Sequence, residues 1–240
     1  MTRFATVFCT VSLVLCAATQ ASAVCGDVNG SGTLTAGDAL AVLKASVGQS
    51  VNLQCSGAGG PLKTGQTTCY DQAGGQIACD DSGEDGQLQK GAARSYTDNG
   101  DGTITDNATG LTWEKLSDDG SIHDKDNTYT WNNALGKVAS LNAGNFAGHN
   151  DWRLPNLDEL QTLMMVGTSQ PAIASQFRTA CSAGCSVTTC SCTTSDWYWS
   201  STTYVDTTSE AWFIDFTNGY TDTDTKTDNL NFARAVRGGS

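Results

Sequence analysis

The sequence is short of basic residues, and this shortage excludes several classes of partner. It contains 13 Lys and Arg against 25 Asp and Glu, which gives a net charge of −12 over 240 residues. Nucleic-acid binding needs clustered cations that displace counterions from phosphates, so no nucleic-acid partner is expected. An anionic lipid or another polyanion is disfavoured for the same reason. An acidic surface suits calcium and an extracellular setting.

Histidine is nearly absent as well, which weakens the case for an enzyme. His123 and His149 are the only two histidines, and neither stands at a spacing typical of a metal site or a catalytic triad. The nucleophile motif G-x-S-x-G does not occur. We therefore predict a protein that is not an enzyme.

A long apolar run is also missing, and the one apolar segment of note is typical of a signal peptide. Arg3 precedes an apolar stretch over residues 4–18, and residues 21–23, Ala-Ser-Ala, form a small-residue cleavage site. The apolar stretch is shorter than the roughly 20 residues of a membrane-spanning helix. The pattern predicts export, cleavage before Val24 and no transmembrane segment.

Cysteine is plentiful by contrast. In an exported chain the even number after residue 23 predicts disulfides: Cys25, Cys55, Cys69, Cys79, Cys181, Cys185, Cys190 and Cys192. Proximity favours pairing Cys25 with Cys55 and Cys69 with Cys79. Two further bridges are expected within residues 181–192, where the last two cysteines are too close on one strand to pair with each other. Structural zinc is the disfavoured alternative, because no C-x-x-C pair is present.

Residues 27–38 have the spacing of a calcium loop. The oxygen ligands would come from alternate residues followed by a closing carboxylate: Asp27, Asn29, Ser31, Thr33 and Asp38. Gly32 stands at the turning position, and residues 39–47 are predicted to form a helix. The alternative is a glycine-rich turn with an ordinary helix cap. The segment resembles one calcium-loop half of a type I dockerin, although Ser31 replaces the usual aspartate and a second half is missing.

Residues 98–106 resemble a second calcium loop only superficially, because the register would leave its first and last positions without a carboxylate. A hairpin is the better prediction, with a strand at Tyr96, a turn over residues 99–102 and a second strand over 103–105. A turn over residues 107–110 should follow. The preceding residues, 57–93, are rich in Gly, Gln and Asp and are interpreted as a disulfide-pinned lead-in.

All six tryptophans lie between Trp113 and Trp212, so the main core is expected there. A helix is predicted over residues 131–142, capped by Thr130. Its inward face is predicted to comprise Trp131, Ala134, Leu135, Val138 and Leu141.

Residues 151–166 combine a short strand, a proline stop and a capped helix. Trp152 and Leu154 are predicted to be core residues, and Arg153 to form an internal ion pair or to donate a hydrogen bond to a loop rather than to contact a ligand. Asn156 should cap the following helix, with Glu159 completing a capping box.

The C-terminal residues are expected to form the closing strands of the sheet. Strands are predicted near residues 197–202, 211–217 and 232–237. Between the last two of these strands, Asp222 and Asp224 would share one strand face. They are interpreted as a solvated edge or, alternatively, as an ion site.

Five separated segments carry a family resemblance: TGQTTCYD, DNGDGTITDNATGLTWEK, DWRLPNLDELQTL, YWSST and FARAVRGG. Together they resemble the C-terminal domain of the Legionella collagen-like protein family over about residues 63–239. The resemblance implies an α+β fold of the C-type-lectin-like type, with two helices on a twisted, mostly antiparallel sheet. It also implies a secreted or surface protein concerned with adhesion or ligand binding. Sulfated glycans, bound by some members, do not suit the acidic balance of this chain.

The resulting prediction is a secreted or cell-surface binding protein. Its segments are a signal peptide (1–23), a dockerin-like calcium loop and helix (24–56), the lead-in (57–93) and a lectin-like domain (94–240). The only expected cofactor is Ca²⁺, and the partner is an extracellular glycan or protein. The residues predicted to contact it are Trp197, Tyr198, Trp199 and Tyr204. The alternative function is a structural subunit of an extracellular fibre or surface assembly, with trimers or fibres as the expected homo-oligomers.

Overall fold

The computed structural model of the protein describes residues 61–227 and 230–238. The predicted signal peptide, the calcium loop at 27–38 and the Cys25–Cys55 bridge lie outside the described residues and stay predictions. None of the helices in the described residues has the length and hydropathy of a membrane-spanning segment.

Helices and antiparallel strands are mixed, which confirms the α+β class in its general form. The described residues form nine strands: β1 (Cys69–Tyr70), β2 (Gln76–Ile77), β3 (Tyr96–Asp98), β4 (Thr103–Asp106), β5 (Thr112–Glu114), β6 (Trp197–Thr203), β7 (Glu210–Asp215), β8 (Tyr220–Thr225) and β9 (Val236–Arg237). The α-helices within this part of the chain are α1 (Asp85–Leu88), α2 (Trp131–Ala143) and α3 (Leu157–Gln161). Short 3₁₀ turns lie at Phe146–Gly148 and Ser175–Arg178.

The strands form a two-stranded sheet of β1 and β2 and two larger antiparallel sheets. One has the order β3-β4-β5-β9 and the other the order β6-β7-β8. The predicted hairpin is confirmed, since Tyr96 pairs with Asp106 and Asp98 with Ile104. Its turn includes Gly102, whose φ of +97° suits glycine, and a Cβ there would lie only 2.8 Å from Val187 Cγ2.

The central residues of β6 and β7 are buried on both faces of their sheet, and consecutive residues of each strand point to opposite sides. Tyr198 and Ile214 belong to a core cluster that also contains Trp113 and Phe177. Their neighbours Trp199 and Phe213 belong to a second cluster, with Trp152 and residues of α2. The sheet therefore separates two apolar layers.

The capping box predicted at residue 156 is confirmed. The Asn156 side chain accepts the Glu159 N–H, and the Glu159 side chain accepts the Asn156 N–H. Trp152 and Leu154 are core residues, 2% and 3% exposed. The predicted strand before the proline is reduced to one bridge between Arg153 and Val236. Arg153 also pairs with Glu159 at 2.5 Å, as predicted, although its side chain is 39% exposed and the pair is not internal.

Helix α2 begins after the Thr130 cap, as predicted, but the prediction that Leu135 faces inward is wrong. Leu135 is 37% exposed, whereas Lys137 is 4% exposed. Ala134, Val138 and Leu141 make the buried stripe, and Lys137 completes it at i+3 from Ala134. A lysine occupies this position because a buried carboxylate lies opposite it.

Candidate functional site

The carboxylate opposite α2 is Glu114, at the end of β5. Its Oε2 lies 3.0 Å from Lys137 Nζ, and its Oε1 lies 2.7 Å from His123 Nδ1. Glu114 also accepts the Ala235 N–H at 2.8 Å. Both carboxylate oxygens are thus engaged, and Glu114 is 0% exposed.

Burial by itself raises the pKa of Glu114, but Lys137 and the hydrogen bond from His123 outweigh it and lower the pKa to about 2. Burial lowers the pKa of Lys137, with the charge of Glu114 opposing that change. We take Glu114 as ionised, because cationic and N–H donors surround it. The cluster ties β5, α2 and the C-terminal segment together.

Arg234 is a second buried cation, and it donates to backbone oxygens rather than to a carboxylate. Its guanidinium donates to the carbonyls of Glu114 and Cys192, each at 2.7 Å. The guanidinium carbon also lies 5.2 Å from the ring centroid of Phe177. Glu114, Lys137 and Arg234 were missed from sequence, because the first two are 23 positions apart and no local pattern joins them.

Three disulfides link the described cysteines: Cys69–Cys79, Cys181–Cys192 and Cys185–Cys190. These agree with the predicted 69–79 bridge and with two bridges inside residues 181–192. The sulfurs of Cys181, Cys185 and Cys192 are near enough together to resemble a metal site. Disulfide bonding accounts for that proximity.

A second metal-like group consists of Asp118, Asp124 and Asp126. Lys125 Nζ lies 2.8 Å from Asp126 and 3.6 Å from Asp118. The carboxylate of Asp124 accepts the backbone N–H groups of Gly120 and Asp126. A lysine and the loop backbone therefore account for this acidic group.

The four residues predicted to contact a ligand are divided by burial. Tyr198 and Trp199 are 0% exposed. The prediction that they contact a ligand is therefore wrong for this fold, because each side chain fills one of the two core clusters. Tyr204 is partly exposed and contacts Trp212 edge-on, with ring centroids 5.5 Å apart. Trp197 is 40% exposed and remains available.

Trp197 lies in a row that crosses all three strands of the sheet. It pairs with Asp215 on β7, and Asp215 pairs with Tyr220 on β8. Directly paired residues point to the same face, so the three side chains share one side. Asp222 belongs to that face too, two residues beyond Tyr220. We call this set, Trp197, Asp215, Tyr220 and Asp222, the Trp197–Tyr220 surface.

Local contacts hold these side chains in place. The Trp197 ring stacks on Phe213, with centroids 4.5 Å apart and an interplanar angle of 17°. The Tyr220 hydroxyl donates to Asp222 Oδ2 at 2.6 Å, and Tyr220 is 54% exposed. That hydrogen bond lowers the pKa of Asp222 and raises the pKa of Tyr220. The surface thus presents two oriented aromatic rings beside two carboxylates.

The aspartates in the TDTDT sequence of β8 accept backbone N–H groups of the same strand. Asp222 Oδ1 accepts the Thr223 N–H, and Asp224 Oδ1 accepts the Thr225 N–H, each at 2.8 Å. β8 is the last strand of its sheet, and its outward N–H groups would otherwise be open to another strand. The two aspartates also differ in environment, since Asp222 is exposed and Asp224 is 9% exposed, beside Asn231.

Comparison with known protein families matches residues 102–237 to the Lcl C-terminal domain. No curated protein matches the chain. The matched residues include the Trp197–Tyr220 surface, the buried Glu114 cluster and both disulfides of residues 181–192.

Proposed function

The chain belongs to the Lcl C-terminal domain family, and we propose that it is an extracellular binding protein whose ligand contacts the Trp197–Tyr220 surface. The family and the disulfides together indicate a secreted or surface protein. The family match and the oxidised cysteines support the location. The exposed, stacked Trp197 supports the place of contact.

Trp197 carries the proposal for a physical reason. An aromatic ring already held on a rigid sheet loses little conformational entropy on binding, and Trp and Tyr supply much of the binding energy at protein surfaces. Trp197 is fixed by Phe213, and Tyr220 by Asp222. A glycan or a protein segment resting on both rings would therefore meet a surface that needs no rearrangement.

The C-type-lectin-like fold is part of the proposal, and its support is the strand pairing near the two ends of the family match. β5 pairs with β9, so a strand close to the start of the family match lies beside the strand that ends it. This agrees with the joined termini expected of that fold. We propose binding rather than catalysis, because Glu114 and His123 are paired with each other inside the domain.

A binding screen against immobilised glycans and extracellular proteins tests the proposal. Wild-type protein should give reproducible binding that Trp197→Ala reduces by about tenfold, in line with the loss of an aromatic contact of about 1.4 kcal/mol. Tyr70→Ala is the matched control, because Tyr70 is 45% exposed and lies on the separate β1–β2 sheet. Equal binding by wild type and Trp197→Ala, with unchanged melting temperatures, would contradict the proposed site.

We also propose that residues 27–38 bind Ca²⁺ through the five oxygen ligands named above, an expectation from the sequence alone. Calcium should raise the melting temperature of the mature protein, and Asp27→Ala should abolish that rise. An identical melting temperature with calcium and with chelator would refute it. Size-exclusion chromatography of the same samples tests the alternative function, for which calcium-dependent polymers are the expected result.

A further inference from the structure

The carboxylates of the Trp197–Tyr220 surface have no cationic partner among the described residues. None of the seven ion pairs in the described part of the chain includes Asp215 or Asp222. Asp215 Oδ1 accepts only a backbone N–H, that of Thr217, at 2.7 Å. The negative charge of Asp215 and Asp222 is therefore available to a cation of a bound ligand.

The lysine on the segment after β8 is held at the opposite end of the same sheet. Lys226 Nζ lies over the Trp131 ring, 4.5 Å from its centroid, and donates to Thr203. Thr203 pairs with Ala211 at the far end of β6 from Trp197. Lys226 therefore neutralises neither Asp215 nor Asp222. Its position over the Trp131 ring is an example, within this protein, of the cation–π contact that the exposed Trp197 ring offers to a ligand.

The spacing of the surface fits a particular arrangement of cations. Neighbouring strands lie about 4.8 Å apart, so the Asp215 backbone lies between those of Trp197 and Tyr220 at about that distance from each. Asp222 is the diagonal neighbour of Asp215, and such positions are about 7–8 Å apart. Alternate side chains of an extended peptide are about 7 Å apart. Two cations at alternate positions of an extended segment would each meet one carboxylate.

We propose that the ligand of this surface is an extended segment of a partner protein with lysine or arginine at alternate positions. This inference rests on the proposed function and adds the chemical class of the ligand. One cation lies against the face of Trp197 and reaches Asp215, and the next reaches Asp222 beside Tyr220. Aromatic faces and carboxylates both attract ammonium and guanidinium groups and repel sulfate and phosphate.

The probe is a fluorescent peptide of alternating lysine and threonine, titrated with the full-length mature protein. Its controls are the same composition with the lysines contiguous and a version with glutamate in place of lysine. The alternating peptide should bind most tightly and the glutamate peptide not at all. Raising the salt concentration from about 0.01 M to 0.15 M shortens the screening length from about 30 Å to 8 Å and should weaken binding.

Variants of the protein test the contact residues. Asp222→Asn should weaken binding about threefold to fivefold, as for an exposed ion pair, and Trp197→Ala about tenfold. Asp158→Asn removes the same charge from an exposed position at the start of α3 and should leave the affinity unchanged. Trp197→Phe, which keeps a ring against Phe213, should retain the melting temperature and lose part of the affinity.

The outcomes separate this inference from the proposed function. If Asp158→Asn weakens binding as much as Asp222→Asn does, only net charge matters and the inference is overturned. It is also overturned if a neutral glycan binds in a Trp197-dependent way that Asp222→Asn leaves intact, and the proposed function then stands. If neither peptide nor glycan binding depends on Trp197, both fail.

Discussion

Replacing Glu114 with glutamine should destabilise the protein by about 3 kcal/mol. Glutamine keeps the size and an acceptor for the Ala235 N–H, but it leaves the ammonium group of Lys137 buried without its counterion. Removing one partner of a buried ion pair typically costs about 3–5 kcal/mol. The pKa of Glu114, lowered from 4.5 to about 2, independently corresponds to about 3 kcal/mol in favour of the folded, ionised state.

The pH dependence has a definite sign. The pKa of Glu114 is lower in the folded than in the unfolded state, so its contribution is fully present above about pH 4.5. That contribution is lost as the pH falls from about 4.5 to about 2. Glutamine does not titrate, so the difference in unfolding free energy between wild type and Glu114→Gln should shrink across this window.

Urea denaturation at several pH values measures both effects, and thermal melting should show a decrease of about 10 °C at pH 7. The double variant Glu114→Gln/Lys137→Met removes both charges and should be more stable than Glu114→Gln alone. A loss below about 1 kcal/mol at pH 7 would refute the reasoning. So would a double variant no more stable than the single one, or a difference that does not change between pH 4.5 and 2.

Asn156→Ala should lower the free energy of unfolding by about 1 kcal/mol, because its side chain accepts the Glu159 N–H; an unchanged urea midpoint contradicts the capping role. Gly102→Ala should cost more than Gly100→Ala, since both glycines have positive φ but only the Cβ at 102 would crowd Val187. Equal losses of unfolding free energy in urea would mean that the positive φ alone sets the cost, and this would contradict the predicted contact with Val187. The six cysteines paired in the structure should resist alkylation until the protein is reduced, and peptide mass spectrometry finding native labelling at any of them contradicts the pairing.

Much of the local structure could be predicted, because its causes lie within a few residues. The hairpin beginning at Tyr96 follows from turn glycines between alternating residues. The caps at Thr130 and Asn156 follow from side chains that accept N–H groups three residues on. The short disulfides follow because their cysteines are separated by only 10 and 5 positions in the sequence and therefore stay close together in space.

Burial was harder to predict, because alternation along a strand does not reveal which faces other elements cover. Tyr198 and Trp199 point in opposite directions, and both were predicted to contact a ligand. Packing on both sides of the sheet buries them both. The same cause produced the error at Leu135, since the partner that brings Lys137 inside lies on a strand distant in sequence.

The sequence by itself determined the family, the turn and cap positions, the oxidised cysteines and the acidic balance that disfavours polyanionic partners. Only the tertiary structure decided which aromatic side chains stay exposed and which carboxylates lie beside them. Tyr220 follows Asp215 across a short turn, but Trp197 is distant from both in sequence, and no local pattern relates it to them. Strand register brings them into one row, and register is a property of three paired strands together.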